Sequence, residues 1–325
     1  MIGRTGITYH QLQTFLAVAR TGNLTKVARE LNATQPTVSL QLRSLRKALG
    51  IPLFERPGGR FQLTAAGEKL RRYAEEALDG LRILQQDIAV LKGSLTGSLA
   101  VGVTFFVFSR VLPEPPRLRA QFPSVDFQIH VDLPEPLFSH LLADTLDVAC
   151  YLKVQTPPGL TIEPLGLEEF AIIASPQHRL AGQRRISPEE LSQEPIVLSR
   201  ISSYRELVEA KLRAAGVTPG IVTEAGNYNG INELVQRNVG YSMHLKPLVA
   251  ADIAAGRFVP LRLDGPPILG EVVAAFRPRR RMSPLIEAFI RFVRSELERP
   301  RSGHGPGVPT HAMPRGRTAR PRRPH

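Results

Sequence analysis

One short stretch of this chain carries polar and basic side chains at a spacing suited to recognition chemistry. Val38, Leu42, Leu45 and Leu49 repeat at helical spacing and form a buried stripe, which leaves Gln35, Thr37, Ser39, Leu40 and Arg43 turned outward. Thr34 caps the same helix, and Pro36 is tolerated because first-turn amides have no intrahelical acceptor. Glutamine can pair with adenine, Thr or Ser with several base edges, Leu40 with a thymine methyl, and Arg43 with phosphate or guanine. That is the chemistry of reading a duplex through its edges. Each residue alone would suit a solvated polar face; their grouping favours contact with DNA.

Nothing comparable points to bond-making. There is no Gly-x-Gly-x-x-Gly dinucleotide loop and no Gly-Lys-Ser/Thr phosphate loop. His130, His140, His178 and His244 are scattered without metal spacing, and His304, His311 and His325 lie in a Pro/Gly/Arg-rich tail. The single cysteine, Cys150, excludes a disulfide framework and sits in an apolar strand, where a buried thiol is inert. No metal and no cofactor is expected.

The elements that must position the reading residues are legible from caps. Thr8 and Gln11 form a capping box opening a first helix with Leu12, Phe15, Leu16 and Ala19 on one face, and Gly22 ends it. Asn23 caps a short second helix, Asn32 supplies the left-handed turn, and Gly50 stops the third helix. Two helices on a short turn make a helix-turn-helix. Beyond it, residues 53–64 alternate about Pro57-Gly58-Gly59-Arg60 and read as a basic hairpin, a wing whose Arg56 and Arg60 can touch backbone or minor groove.

The charge agrees. The formal net charge is +13, of which residues 1–60 hold +7, residues 61–299 zero and residues 300–325 +6. A compact basic unit is the electrostatic footprint of nucleic-acid binding. The tail, with six arginines, no acid and almost no large apolar side chain, cannot bury a core and is expected to be disordered, adding at most non-specific attraction.

Thr64 caps a long helix running to about Lys92, with Gly93 as its stop. Leu70, Ala74, Ala77, Leu81, Leu84, Ile88 and Leu91 follow a 4, 3, 4, 3, 4, 3 spacing along it. That is an a/d seam on a helix about 40 Å long, with no second heptad segment in the chain to cover it, so self-pairing is favoured.

Residues 98–299 alternate between strands and helices, which argues an α/β body with a largely parallel sheet. The longest nearly unbroken apolar run, Leu99 to Phe108, suits a core strand and is too short to span a membrane. With no signal pattern at the N-terminus, a cytoplasmic protein is expected.

At this point the sequence resembles a family. Leu31-Asn32-Ala33-Thr34-Gln35-Pro36-Thr37-Val38-Ser39, Leu49-Gly50-Ile51-Pro52-Leu53-Phe54-Glu55-Arg56 and Leu63-Thr64-Ala65-Ala66-Gly67 are collinear with the LysR-type transcriptional regulators over about 60 residues. Leu40, where the family often has arginine, and Arg46, where it commonly has glutamate, depart from the pattern. The resemblance implies an all-α winged helix-turn-helix over 1–64, a linker and dimerisation helix over 65–93, and an α/β effector-binding domain over 98–299. That domain is similar to periplasmic solute-binding proteins, with one subdomain at 98–166 plus 270–297 and the other at 167–269.

A ligand in such a domain belongs at strand C-termini facing helix N-termini. Those positions are Thr104, Phe105 and Pro134 on one side, and Ser199, Arg200, Ser202, Ser203, Asn227 and Asn229 on the other. Hydroxyls and amides with one full positive charge, Arg200, suit a small organic anion, although Ser and Asn there are also good N-caps. The expected partners are therefore a double-stranded DNA operator, a small-molecule effector, a second copy of the chain and, by the resemblance, a tetramer, with RNA polymerase added for an activator. A ligand-independent architectural DNA-binding protein and a two-lobed α/β enzyme are the competing classes; the enzyme leaves the heptad seam and the basic module unexplained.

Overall fold

The computed structural model describes residues 6–55, 61–91, 94–111, 115–200, 202–220, 222–278 and 282–299. The tail at 300–325 and the wing tip with Arg56 and Arg60 lie outside the described residues.

The chain forms two compact units, one of residues 1–100 with 119–128 and 277–291, the other of 101–118 with 129–276 and 292 onward. In the first, α1 (Tyr9–Thr21), α2 (Leu24–Glu30) and α3 (Gln35–Leu49) start and stop where the caps require. Thr8 N–H donates to Gln11 Oε1 at 2.8 Å and Gln11 N–H to Thr8 Oγ1 at 3.3 Å, closing the capping box. Gly22 and Gly50 end α1 and α3 at φ 63° and 70°, and Asn32 makes the turn between α2 and α3 at φ 49°. Val18, Val27, Ala28 and Val38 pack in one cluster and Phe15, Leu45, Leu53 and Ala74 in another. The wing strands β1 (Phe54–Glu55) and β2 (Gln62–Leu63) pair antiparallel.

The linker helix α4 (Ala65–Leu91) begins with Thr64 Oγ1 accepting from Gly67 N–H at 3.0 Å and donating to Pro52 carbonyl at 2.8 Å. A Cβ on Gly67 would stand 2.2 Å from Leu53 carbonyl oxygen, so the crossing of α4 over the wing root admits only glycine. Along α4 the heptad divides. Ala77, Leu81, Leu84, Ile88 and Leu91 are exposed, while Ile83, Gln86 and Ala89 on the opposite face are buried in their own chain. Gln86 Oε1 there accepts from buried Ser283 Oγ at 2.5 Å, and Arg277 reaches Glu75 at 3.4 Å.

The main sheet runs β10 (Val259–Leu261), β6 (Thr161–Ala174), β11 (Leu269–Phe276), β5 (Val148–Leu152), β3 (Thr96–Val103), β4 (Ser124–Val131), with β9 (Ser242–Leu245) also on β6. A largely parallel sheet is corrected to a mixed one: β3–β5 is parallel, but β11 is antiparallel to both β5 and β6, and β9 and β10 are antiparallel to β6. The reason is topological. β11 re-enters the first subdomain from the end of a long excursion, and β6 is a continuous 14-residue strand serving both subdomains, pairing β11 over Thr161–Glu169 and β9 or β10 over Phe170–Ala174. A separate parallel pair, β7 (Ile196–Ser199) with β8 (Val222–Ala225), completes the second subdomain. The apolar run from Leu99 to Phe108, expected as a core strand, divides: β3 ends at Val103, and α5 (Phe105–Val111) follows, then α6 (Pro115–Gln121).

Candidate nucleic-acid interface and effector cleft

The start of α3 presents the reading residues as a surface. Thr34, Gln35, Pro36, Thr37, Leu40 and Arg43 are exposed, Ser39 is half-buried, and Val38 and Leu45 are turned into the core. Leu40 is 58% exposed among these polar groups. Thr34 Oγ1 accepts Thr37 N–H at 3.3 Å and lies 2.8 Å from Thr37 Oγ1, so both hydroxyls are engaged in the cap. Lys26 and Arg29 on α2 and Arg46 and Lys47 on α3 are exposed beside them, a basic rim that spacing alone did not single out. Among the described Lys and Arg of residues 6–55, only Arg20 is paired with a carboxylate, Glu30 at 3.0 Å. Gln41, by contrast, is drawn into a hydrogen bond with buried Thr14 and locks α3 to α1.

On α4 the expected seam is corrected at its N-terminal end. Ala74, 1% exposed, belongs to the Phe15–Leu45 cluster and is not offered to a partner, and half-buried Leu70 packs on that cluster too. Tyr73, 71% exposed, takes the outward position instead. The small side chain at 74 beside a large one at 73 is the signal in the sequence, the alanine packing into the winged core where α4 crosses it.

In the second unit, the expected effector residues separate into two groups. Asn227 is consumed as the N-cap of α10 (Tyr228–Gln236), its Oδ1 accepting from Gly230 N–H at 2.8 Å, and Pro134 opens α7 (Pro134–Leu142) as a buried first-turn residue. Arg200 and Asn229 are exposed, Ser199 is buried at the end of β7, and Ser202 is the first residue of α9 (Ser202–Ala214). Thr104, Phe105 and Ser203 remain. Thr104 Oγ1 and Ser203 Oγ are buried without a hydrogen-bond partner among the described residues. Phe105 lies 6.1 Å from the ring of Tyr228, and Tyr228 meets His244 edge-on at 4.9 Å. Tyr228 and His244 were not anticipated. His244 is 2% exposed, its Nε2 has no partner among the described residues, and burial pushes its pKa down to about 4, so the ring is neutral at pH 7. Ser203 also lines a cavity of about 820 Å³ between α7, the 153–158 crossover and α9, with Lys153, Thr156, Phe138 and Glu206 among its walls.

Sequence reasoning also missed Arg110. This guanidinium, 9% exposed, donates to Leu297 and Arg299 carbonyls at 2.7 and 2.8 Å and contacts Glu168 at 3.3 Å, fastening the end of α12 (Pro284–Glu298). Cys150 is buried, with its thiol pushed up to about 12 by desolvation. Among the described residues no group of three side chains could hold a metal, and no helix is long and apolar enough to cross a membrane.

A winged helix-turn-helix joined by a long helix to a two-subdomain α/β body defines a ligand-responsive, DNA-binding class of protein. Residues 9–68 match the model of the bacterial regulatory helix-turn-helix protein, lysR family, and residues 92–298 match the LysR substrate binding domain. The chain belongs to the LysR family of transcriptional regulators. It is 30% identical to the RuBisCO operon transcriptional regulator of Allochromatium vinosum, over 90% of this chain and 97% of that one. It is also 30% identical to the HTH-type transcriptional activator CmpR of a Synechocystis strain, over 88% and 94%. A full-length OxyR point variant from Pseudomonas aeruginosa shares the fold at a TM-score of 0.66 and 22% identity, over 88% of this chain and 94% of that one.

Proposed function

We propose that this regulator acts in the cytoplasm as a homodimer, or a dimer of dimers. Each copy would read one operator half-site through Thr34, Gln35, Pro36, Thr37, Ser39, Leu40 and Arg43, with the wing residues Arg56 and Arg60 on the flanking backbone. The observation that carries this reading is the exposed α3 face beside basic side chains that lack carboxylate partners among the described residues. Self-pairing runs through Ala77, Leu81, Leu84, Ile88 and Leu91, whose exposure on a face opposite a buried one is the pattern a two-stranded seam requires.

The effector binds beside Thr104, Phe105 and Ser203, where two hydroxyls are buried without partners among the described residues and a ligand oxygen is the group that would satisfy each. A small carboxylate fits the hydroxyls and α9's N-terminus, with Arg200 within the same loop for charge. Binding needs only to favour one arrangement of the subdomains to shift the paired DNA-binding units. RNA polymerase is the further partner if the outcome is activation. The test is footprinting on the promoter beside the gene, paired with calorimetry against a panel of metabolite carboxylates. A protected operator and heat with one carboxylate support the reading; equal affinity for random DNA and no heat would sink it.

A further inference from the structure

The reading side of α3 carries an apolar stripe within its polar surroundings. Thr37 is polar by type, but its hydroxyl lies 2.8 Å from Thr34 Oγ1 in the cap, and its γ-methyl adds an apolar group to an exposed side chain. Pro36 offers only ring carbons. Leu40 stands four residues after Pro36 and three after Thr37, so it neighbours both on one side of the helix, and all three are exposed. A lone exposed leucine is ordinary on any protein surface. Here it extends a contiguous stripe on a pair of helices whose exposed Lys26, Arg29, Arg43 and Lys47 have no carboxylate partner among the described residues. An apolar strip with a cationic rim complements a major groove, where phosphates flank the floor and the thymine 5-methyl is the apolar group a base pair presents.

Resting on the reading of this face as the DNA interface, we propose that Pro36, Thr37 and Leu40 select thymine by its methyl group. Leu40 makes the principal contact and is the specificity-determining residue. Each half-site then holds a fixed thymine opposite Leu40, commonly with a second apolar contact one step away against Thr37 or Pro36, while Gln35 and Arg43 read the polar edges beside it. Arginine in place of Leu40 would present a donor fork to the same position and favour guanine.

The experiment uses the full-length protein to select from random duplexes by mobility shift, then resynthesises the enriched duplex with deoxyuridine replacing each thymine in turn. Uracil pairs with adenine as thymine does and lacks only the methyl. One uracil per half-site should weaken binding about fourfold, the worth of one buried methyl, with smaller effects at its neighbour and none elsewhere. Leu40→Ala, which removes an exposed side chain and leaves the core intact, should close that thymine–uracil gap toward unity, with circular dichroism verifying the fold. An enriched sequence lacking an invariant thymine overturns the proposal. So does unchanged affinity on every uracil duplex, or a gap that survives Leu40→Ala undiminished at every position. Failure to enrich any sequence would instead overturn the DNA-interface reading beneath it, so the two failures are distinguishable.

Discussion

Leu84→Lys tests how the linker helix assembles. Leu84 is 51% exposed in the single chain, so about half of the roughly 2 kcal/mol that full burial of a leucine provides remains to be gained from a partner. In a two-fold pair the loss occurs twice, about 2 kcal/mol, and two ammonium groups are forced toward one another across an apolar seam. With at least ~1 kcal/mol for that desolvation, the total is about 3 kcal/mol, or roughly a hundredfold in the dimer dissociation constant. Sedimentation velocity over a concentration series reads this directly, and operator binding should weaken in parallel because two half-sites must be engaged together. Leu84→Met conserves volume and should remain dimeric. If folded Leu84→Lys shows the wild-type sedimentation coefficient at every concentration, the seam is not the interface and the exposed face of α4 serves something else.

Three further outcomes are expected. Arg43→Ala and Gln35→Ala should each weaken specific operator binding about tenfold, and unchanged footprints for both would refute the assigned face. Arg110→Met removes the contact with Glu168 and frees the Leu297 and Arg299 carbonyls, so the melting temperature should fall by the equivalent of about 2–3 kcal/mol; a melt matching wild type would contradict the role given to Arg110. His244 binds its proton more readily unfolded, near pH 6.5, than folded, near 4, so its contribution is complete above about pH 7 and is lost as pH falls. Denaturation at pH 5 should show about 2 kcal/mol less stability from this group, and His244→Phe should remove that increment.

The N-terminal unit was readable because its signals are local. A capping box, two glycines at positive φ and an asparagine turn each act within four residues, and the structure places every one as read. The body was less readable because its decisive contacts are distant. Tyr241–Leu245 is buried on every side chain and carries Ser242 and His244, so β9 gave no alternation to follow and the α11 helix (Lys246–Ala254) behind it was also missed. The first half of β6 contains Pro164 and Gly166, which argue against a strand until β11 supplies its pairing from a hundred residues on. Asn238 shows the opposite case. It follows α10 at φ 59°, a left-handed conformation that favours glycine and that asparagine tolerates. On the effector side, sequence position alone could not separate Asn227, spent on capping, from Thr104 and Ser203, whose hydroxyls lack partners among the described residues.

β6 has a practical consequence for dissecting this regulator. Because one uninterrupted strand carries β11 on its first nine residues and β9 and β10 on its last five, neither lobe of the effector domain can be excised as a fragment. Any cut between the lobes severs the strand and leaves raw sheet edges on both pieces, which invite aggregation. The lobes should therefore melt as one cooperative unit, and their slowest-exchanging amides should run along β6 through the boundary between them.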